Sequence, residues 1–135
     1  MPTFSDDTEA YKYLAGVFRE ASEHPVVGPS LAAAGITLQL RYSDPDCQTT
    51  VRLHDPIQVI EGETDETPDV ILTLTADDAD QYWRGDLNLA IALAKGRAKS
   101  KGPVNKILKL VPLTKPMFPI YREMVAHREG ADAAA

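Results

Sequence analysis

The residues that most often carry catalysis or metal binding are few and widely spaced in this sequence. The histidines His24, His54 and His127 lie far apart, and none has metal-ligand spacing to another His or to the single cysteine, Cys47. Cys47 and His54 fall on one predicted strand at an odd-numbered spacing, so their side chains point to opposite faces and do not form a nucleophile–base pair. We therefore predict no metal site, and we interpret Cys47 as a small buried hydrophobe.

Two other segments contain residue types found in ion or phosphate sites, but not in the required order. The four acidic residues between positions 61 and 66 lack the Asp-x-Asp-x-Asp-Gly order of a calcium loop. The segment 96–102 has Lys101 where a P-loop needs its second glycine. A nucleophile elbow and a dinucleotide fingerprint are also missing from the sequence. We expect a solvated acidic loop, no cofactor, no catalytic residues and no enzyme activity.

Composition and charge narrow the class of protein further. The chain has 135 residues, 44% of them hydrophobic and 25% charged, which fits one globular domain over 1–135 with a disordered tail at 129–135. The net charge of −6 divides into −12 over the first 80 residues and +6 over the rest. We expect no nucleic-acid partner for such a chain, because phosphate binding needs a dominant cationic surface.

Other features of the sequence indicate the compartment. One cysteine allows no intramolecular disulfide, and a reducing environment is the default for such a chain. No apolar run reaches the ~20 residues needed to span a bilayer. The acidic N-terminus does not have the pattern of a signal peptide, and the C-terminus has no peroxisomal address. We expect a soluble, cytoplasmic protein.

Hydrophobic periodicity predicts an α+β fold. A helix over 6–23, capped by Asp6 and ended by His24-Pro25, is followed by a connector and then by a sheet with one wet face. The remaining elements are strands at 36–42, 47–54, 57–60, 70–75 and 97–101, and helices at 76–84, 87–94 and 104–111, with a proline-broken segment at 113–125. The first two strands, joined by a short turn, should pair antiparallel.

Three neighbouring segments carry more apolar or small residues than one packed face requires. The helix 87–94, which Asp86 could cap, is apolar on nearly all sides, so a second cover must come from another helix, another subunit or an apolar ligand. The next strand alternates basic residues with small ones, which either fit under a bulky helix or leave internal space. The segment 106–122 has four basic residues, no acid and excess apolar residues, as in a lid, a membrane-surface element or an arm packed on the core.

The order of these segments resembles a known family. The sequence Asp-Val-Ile-Leu-Thr-Leu-Thr-Ala-Asp-Asp at 69–78 precedes an aromatic-bearing helix, the Gly85 turn, the apolar helix, and Gly-Arg-Ala-Lys-Ser-Lys-Gly at 96–102. This arrangement, over roughly residues 36–111, is similar to the sterol carrier protein type-two domain, in the form of a bacterial-type stand-alone member. The resemblance implies a largely antiparallel sheet of about five strands, covered by helices, that encloses an apolar tunnel for sterols, fatty acyl chains or other lipids.

The interpretation with most support is thus a non-catalytic intracellular lipid carrier. The candidate lipid-binding residues are Tyr82, Trp83, Leu87, Ala90, Ile91, Leu93, Ala98, Ile107, Leu110, Leu113, Met117 and Phe118. The candidate contacts to an anionic head group or a transient membrane surface are Lys99, Lys101, Lys106 and Lys109. The alternative is an interaction or dimerisation module, accessory to a lipid-metabolising enzyme, in which the apolar surplus contacts that enzyme or a second copy in a homodimer.

Overall fold

The fold is built on one five-stranded sheet. A computed structural model describes residues 3–134, with side chains described up to residue 128. The strands are β1 Ile36–Ser43, β2 Cys47–Leu53, β3 Gln58–Glu61, β4 Val70–Thr75 and β5 Lys99–Lys101. Their order is β3-β2-β1-β4-β5, with β1 and β4 parallel and the other neighbours antiparallel. The predicted α+β class and the largely antiparallel sheet are confirmed.

Helices precede and follow the strands. They are α1 Asp7–Ala10, α2 Gly16–Glu23, α3 Val27–Ala32, α4 Ala76–Arg84, α5 Leu89–Ala94, α6 Val104–Thr114 and α7 Phe118–Ala134. A π-helical turn at Tyr11–Ala15 joins α1 to α2, and a 3-10 turn at Lys115–Met117 joins α6 to α7. Among these described helices, none is long and apolar enough to cross a membrane. The predicted disordered tail, 129–135, lies outside the residues whose side chains are described.

Local hydrogen bonds explain where most of these elements begin. The Asp6 carboxylate accepts from Glu9 N at 2.8 Å, as predicted for the first cap. Thr75 ends β4 and starts α4, because its hydroxyl accepts from Asp78 N at 3.0 Å. Helix α5 begins at Leu89 and not at residue 87, since Asn88 provides the cap through a 3.1 Å bond from Ile91 N. The prediction of Asp86 as that cap was wrong.

Two further boundaries differ from the predicted ones. Strand β5 is shorter than 97–101 because the backbone N–H groups of Arg97 and Ala98 both donate to Ala92 O and belong to the turn that closes α5. Helix α6 continues through Pro112 to Thr114, beyond the predicted end at residue 111. A proline within a helix removes one backbone hydrogen bond, but buried Leu110 and Thr114 hold this turn against the core.

The apolar face of the sheet is set by its register. Leu38, Leu40 and Tyr42 of β1 stand opposite Val70, Leu72 and Leu74 of parallel β4, and all six are buried. Because side chains alternate across a strand, the six lie on one face. The adjacent strand β2 adds buried Val51 and Leu53 to this face. The core therefore lies between the sheet and the helices.

The opposite face of the sheet, predicted to be wet, is open to water only in part. Arg41 on this face is exposed. Gln39 and Thr50 on this face are buried, and Gln39 Nε2 donates to Thr50 Oγ1 at 3.0 Å. Strand β3 lies at one edge of the sheet, and β2 and β1 lie between it and β4. The connection 62–69, which joins β3 to β4, must therefore pass across β2 and β1. Hydrogen bonds between Gln48 and Gly62, and from Asp69 N to Thr37 O, hold it there. The acidic loop therefore covers part of the polar face.

A buried polar network joins α4 to α7. Tyr121 Oη donates to Asp80 Oδ1 at 2.6 Å, and Arg84 Nε lies 2.9 Å from Asp80 Oδ2. Tyr121 and Asp80 are both buried. Burial raises the pKa of Tyr121, and the hydrogen bond to the Asp80 carboxylate raises it further. The phenol therefore stays protonated and donates this hydrogen bond. The network fixes the C-terminal helix on the aromatic-bearing helix.

Removing this donor should destabilise the fold. We predict that Tyr121→Phe lowers the free energy of unfolding by about 1–3 kcal/mol, because the buried Asp80 carboxylate loses a partner. Urea denaturation monitored by circular dichroism measures the change. Tyr42→Phe is the matched control, since Tyr42 is equally buried but its hydroxyl has no partner among the described residues. Equal losses in the two variants would contradict the role of the network.

The single thiol should be unreactive in the folded protein. Cys47 is half-buried and its Sγ donates to Pro45 O at 3.5 Å. Burial, with smaller contributions from the Asp7 and Asp46 carboxylates, raises the pKa of Cys47 to about 11. At pH 8 the folded protein then holds about a hundredfold less thiolate than an ordinary cysteine, and the rate of alkylation should rise through pH 11. Iodoacetamide labelling followed by mass spectrometry tests this, and equal rates in native and urea-unfolded protein would refute it.

Candidate functional site: an apolar cavity between sheet and helices

A small internal cavity lies between the apolar face of the sheet and the helices. Its volume is about 50 Å³, well below the roughly 300–1,000 Å³ of most ligand pockets. The residues around it come from α2, β1, β4, α4, the start of α5, and α6. They are Phe18, Leu38, Leu40, Tyr42, Leu72, Leu74, Ala79, Tyr82, Trp83, Leu89, Ile107, Leu110, Val111 and Thr114.

The wall of the cavity on the helix side combines aliphatic and aromatic side chains. Ile107, Leu110 and Thr114 recur at intervals of three and four residues, which places them on one face of α6. The rings of Phe18 and Trp83 meet edge to face, with centroids 5.3 Å apart. These rings connect the N-terminal helix to α4 across the cavity.

Few polar atoms belong to the wall of the cavity, and no charged residue lines it. The hydroxyls of Tyr82 and Thr114 are 2.6 Å apart, and Thr114 Oγ1 donates to Val111 O at 3.0 Å. Tyr82 is then the donor to Thr114. Burial raises the pKa of Tyr82, so its phenol stays protonated and can donate this bond. Such a surface is suited to an uncharged apolar molecule.

A surface groove adjoins the cavity on the side of α5 and α6. It is lined by Tyr82, Gly85, Asp86, Leu87, Asn88, Leu89, Ala90, Leu108, Val111, Pro112, Lys115 and Phe118. Tyr82, Leu89 and Val111 line both the groove and the cavity. We call these three residues the partition. The cavity and the groove are therefore neighbouring spaces that share these three side chains.

The structure brings only some of the candidate lipid-binding residues to these two spaces. Tyr82, Trp83, Ile107 and Leu110 line the cavity, and Leu87, Ala90 and Phe118 line the groove. The other five line neither space: Ile91 is half exposed, Leu93 and Leu113 pack partly buried against the core, and Ala98 and Met117 are buried within it. Their contact with a lipid stays a prediction.

The four candidate lysines lie outside the cavity. Lys99 and Lys101 are exposed on the edge strand β5, and Lys106 and Lys109 are exposed on α6. None of the four forms an ion pair with a residue in the described part of the chain. Val104 and Leu108, one turn apart on α6, are also exposed, at 45% and 38%. Uncompensated positive charge and apolar surface therefore occur together on α6.

Sequence reasoning missed the cavity wall formed by the sheet. Leu38, Leu40, Tyr42, Leu72 and Leu74 line the cavity but were assigned only to the inner face of strands. The alternation of apolar and polar residues along these strands was the signal that these side chains face inward. Phe18, Ala79, Leu89, Val111 and Thr114 were also absent from the candidate list. Phe18 had a signal too, since it lies on the apolar stripe of the N-terminal helix.

No alternative chemical centre competes with this cavity in the described part of the chain. Within residues 3–128, no group of three His, Cys, Asp or Glu side chains is close enough to hold a metal ion. The acidic loop 62–69 lies against the polar face of the sheet, on the side away from the helices. The cavity and the groove beside it are therefore the candidate site.

Comparison with known proteins agrees with this architecture. No family model matches the chain, and no curated protein matches its sequence. Among solved structures, the chain is similar to the sterol carrier protein domain 2 of Helicoverpa armigera, with 21% identity and a TM-score of 0.65, covering 88% of this chain and 95% of that one. It is also similar to sterol carrier protein 2 from Yarrowia lipolytica in its apo form, with 18% identity and a TM-score of 0.64, covering 87% and 94%.

One similar structure is a much larger protein. The stereoselective inverting sec-alkylsulfatase Pisa1 from Pseudomonas sp. matches with 22% identity and a TM-score of 0.56. The match covers 63% of this chain but only 14% of the sulfatase, so the chain spans a small part of that protein. The two sterol carrier structures match nearly end to end. The described chain therefore has the sterol carrier protein 2 fold, as the arrangement of its sequence segments predicted.

Proposed function

We propose that this protein is a non-catalytic lipid carrier that holds an apolar ligand between its sheet and its helices. The observation that supports this most directly is the uncharged cavity between the sheet and α6, which shares Tyr82, Leu89 and Val111 with a surface groove beside it. The likeness to sterol carrier proteins is consistent with it. We further propose a cytoplasmic location, in keeping with the single free thiol.

The size of the cavity implies that the ligand must open it. About 50 Å³ accommodates no lipid chain, so the cavity must merge with the groove when a chain enters. Helix α5 is the element most easily displaced, because it has six residues and only Leu89 and Ala92 of them are buried. Movement of α5 carries Leu89 out of the partition and joins the two spaces into the tunnel that the resemblance implies.

The energetics favour a chain-like or ring-like apolar ligand. Each buried methylene contributes about 0.8 kcal/mol, so ten methylenes give on the order of 8 kcal/mol before the costs of ordering and opening. Micromolar affinity corresponds to about 8 kcal/mol, so ligands longer than ten carbons are needed to offset those costs. The residues that we propose as ligand contacts are Tyr82, Trp83, Leu87, Ala90, Ile107, Leu110 and Phe118, together with the sheet residues of the cavity.

The exposed face of α6 is the surface that we propose for loading at a membrane. Val104 and Leu108 can enter the interface of a bilayer, while Lys106 and Lys109 contact anionic head groups. Leu108 also lines the groove, so contact there brings the groove to the lipid surface. Lys99 and Lys101 on β5 add positive charge that can strengthen the same contact.

The carrier function predicts that filling the cavity blocks uptake. Ala79 lines the cavity and is 3% exposed, so the extra methyl groups of Ala79→Leu occupy space that the ligand needs. We expect at least tenfold weaker binding of a fluorescent fatty acid or sterol by delipidated protein, with the melting temperature maintained. Ala94→Leu is the matched control, because Ala94 is exposed and lines neither the cavity nor the groove.

Two results would contradict the carrier function. One is wild-type protein, purified under native conditions, that carries no lipid by mass spectrometry and shows no saturable uptake after delipidation. The other is equal binding by the Ala79 and Ala94 variants, which would place the ligand outside the cavity. A stable dimer in sedimentation with no lipid uptake would favour the interaction module instead.

The proposed membrane contact predicts a charge-dependent association with vesicles. Each lysine near an anionic surface contributes about 1 kcal/mol, so Lys106→Glu with Lys109→Glu should weaken binding at least about 30-fold. Flotation with phosphatidylserine-containing vesicles at low and physiological salt measures it. Lys12→Glu, an exposed lysine in the acidic first part of the chain, is the control and should bind like wild type. Equal binding by both variants would rule out this surface.

A further inference from the structure

The hydroxyl of Tyr42 is an unusual polar atom for its surroundings. Tyr42 lies near the end of β1, is 6% exposed and lines the apolar cavity. Its Oη has no hydrogen-bond partner among the described residues. A buried hydroxyl without a partner is destabilising by the cost of removing it from water. Phenylalanine would provide the same ring without that cost, so packing alone does not account for the hydroxyl.

The other hydroxyls of the cavity wall are already bonded. Tyr82 and Thr114 bond each other, and Thr114 also donates to a backbone carbonyl. Thr49 on β2 has the second unpartnered buried hydroxyl in the described chain, but it does not line the cavity. Among the described residues that line the cavity, Tyr42 is thus the one whose buried hydroxyl is an unused donor.

We propose that Tyr42 Oη is a polar anchor that donates a hydrogen bond to a neutral oxygen of the ligand, such as a hydroxyl or an ester carbonyl. This inference rests on the proposed carrier function, because the oxygen must belong to a molecule held in the cavity. It narrows the ligand to an apolar chain or ring system with an uncharged oxygen at its buried end.

The charge of the cavity explains why the oxygen should be neutral. No lysine, arginine or histidine lines the cavity, so a buried carboxylate would have no compensating cation. Burying an unpaired carboxylate is far more costly than burying a hydroxyl. Burial also raises the pKa of Tyr42, so the phenol is protonated and able to donate. A fatty acid should place its methyl end inward and leave the Tyr42 hydroxyl unbonded.

The experiment compares matched probes rather than one lipid. Hexadecanol, chlorohexadecane and hexadecanoate have the same chain but end in a hydrogen-bonding hydroxyl, a weak acceptor and a charged group. Each displaces a fluorescent lipid from delipidated wild-type protein and from Tyr42→Phe. We expect Tyr42→Phe to weaken hexadecanol about fivefold to tenfold and to leave chlorohexadecane and hexadecanoate within twofold.

Stability and a second hydroxyl serve as controls. Tyr42→Phe should keep or raise the melting temperature, because the hydroxyl that it removes has no partner in the described structure. Thr49→Val removes the other unpartnered hydroxyl and should leave the affinity for all three probes unchanged. An equal loss for hexadecanol in Thr49→Val would show that the effect does not arise in the cavity and would overturn the anchor.

The remaining outcomes separate the anchor from the carrier function. If all three probes bind wild type and Tyr42→Phe changes none of them, the carrier function stands and the anchor is wrong. If Tyr42→Phe weakens all three equally, the ring acts by shape and the hydrogen bond is again refuted. If no probe binds to wild type, the carrier function fails and the anchor fails with it.

Discussion

The apolar face shared by β1 and β4 is the constraint on which the rest of this structure depends. The parallel register sets Leu38, Leu40 and Tyr42 beside Val70, Leu72 and Leu74, producing one continuous apolar surface. A surface of this kind must be covered, and the covering elements come from both ends of the chain. Phe18 of α2 meets Trp83 of α4 over the cavity, and α6 adds Ile107 and Leu110.

Packing over this face is firm in some places and weak in others. Tyr121, Asp80 and Arg84 connect α7 to α4 through short hydrogen bonds, which hold one side of the helical cover. Helix α5 has no comparable connection among the described residues beyond its cap, and the turns at Gly85 and Gly96, both with positive φ, flank it. A layer of helices that is bonded firmly on one side and loosely on the other can open locally while the rest of the protein stays folded. The proposed entry of a ligand uses this difference.

The sequence predicted the helices and strands better than the cavity and the layers that lie between them. Strand β4 was predicted at its observed bounds because Thr75 both ends the alternating run and caps the next helix. The wall of the cavity on the sheet was missed because alternation shows which residues face inward but not how closely the next layer approaches. The prediction of a wet face holds for exposed Arg41 but not for buried Gln39 and Thr50, because the crossing of loop 62–69 follows from the order of the strands, which local patterns do not contain.

The central claim, that a lipid lies between the sheet and the helices, is tested most directly by intermolecular nuclear Overhauser effects. The measurement uses deuterated protein with protonated leucine and isoleucine methyl groups and a protonated lipid chain. The account predicts cross-peaks from the chain to Leu40 and Leu72 on the sheet and to Ile107 and Leu110 on α6. Cross-peaks confined to Leu87 and Leu108 in the groove, with the methyl groups of the sheet silent, would contradict it.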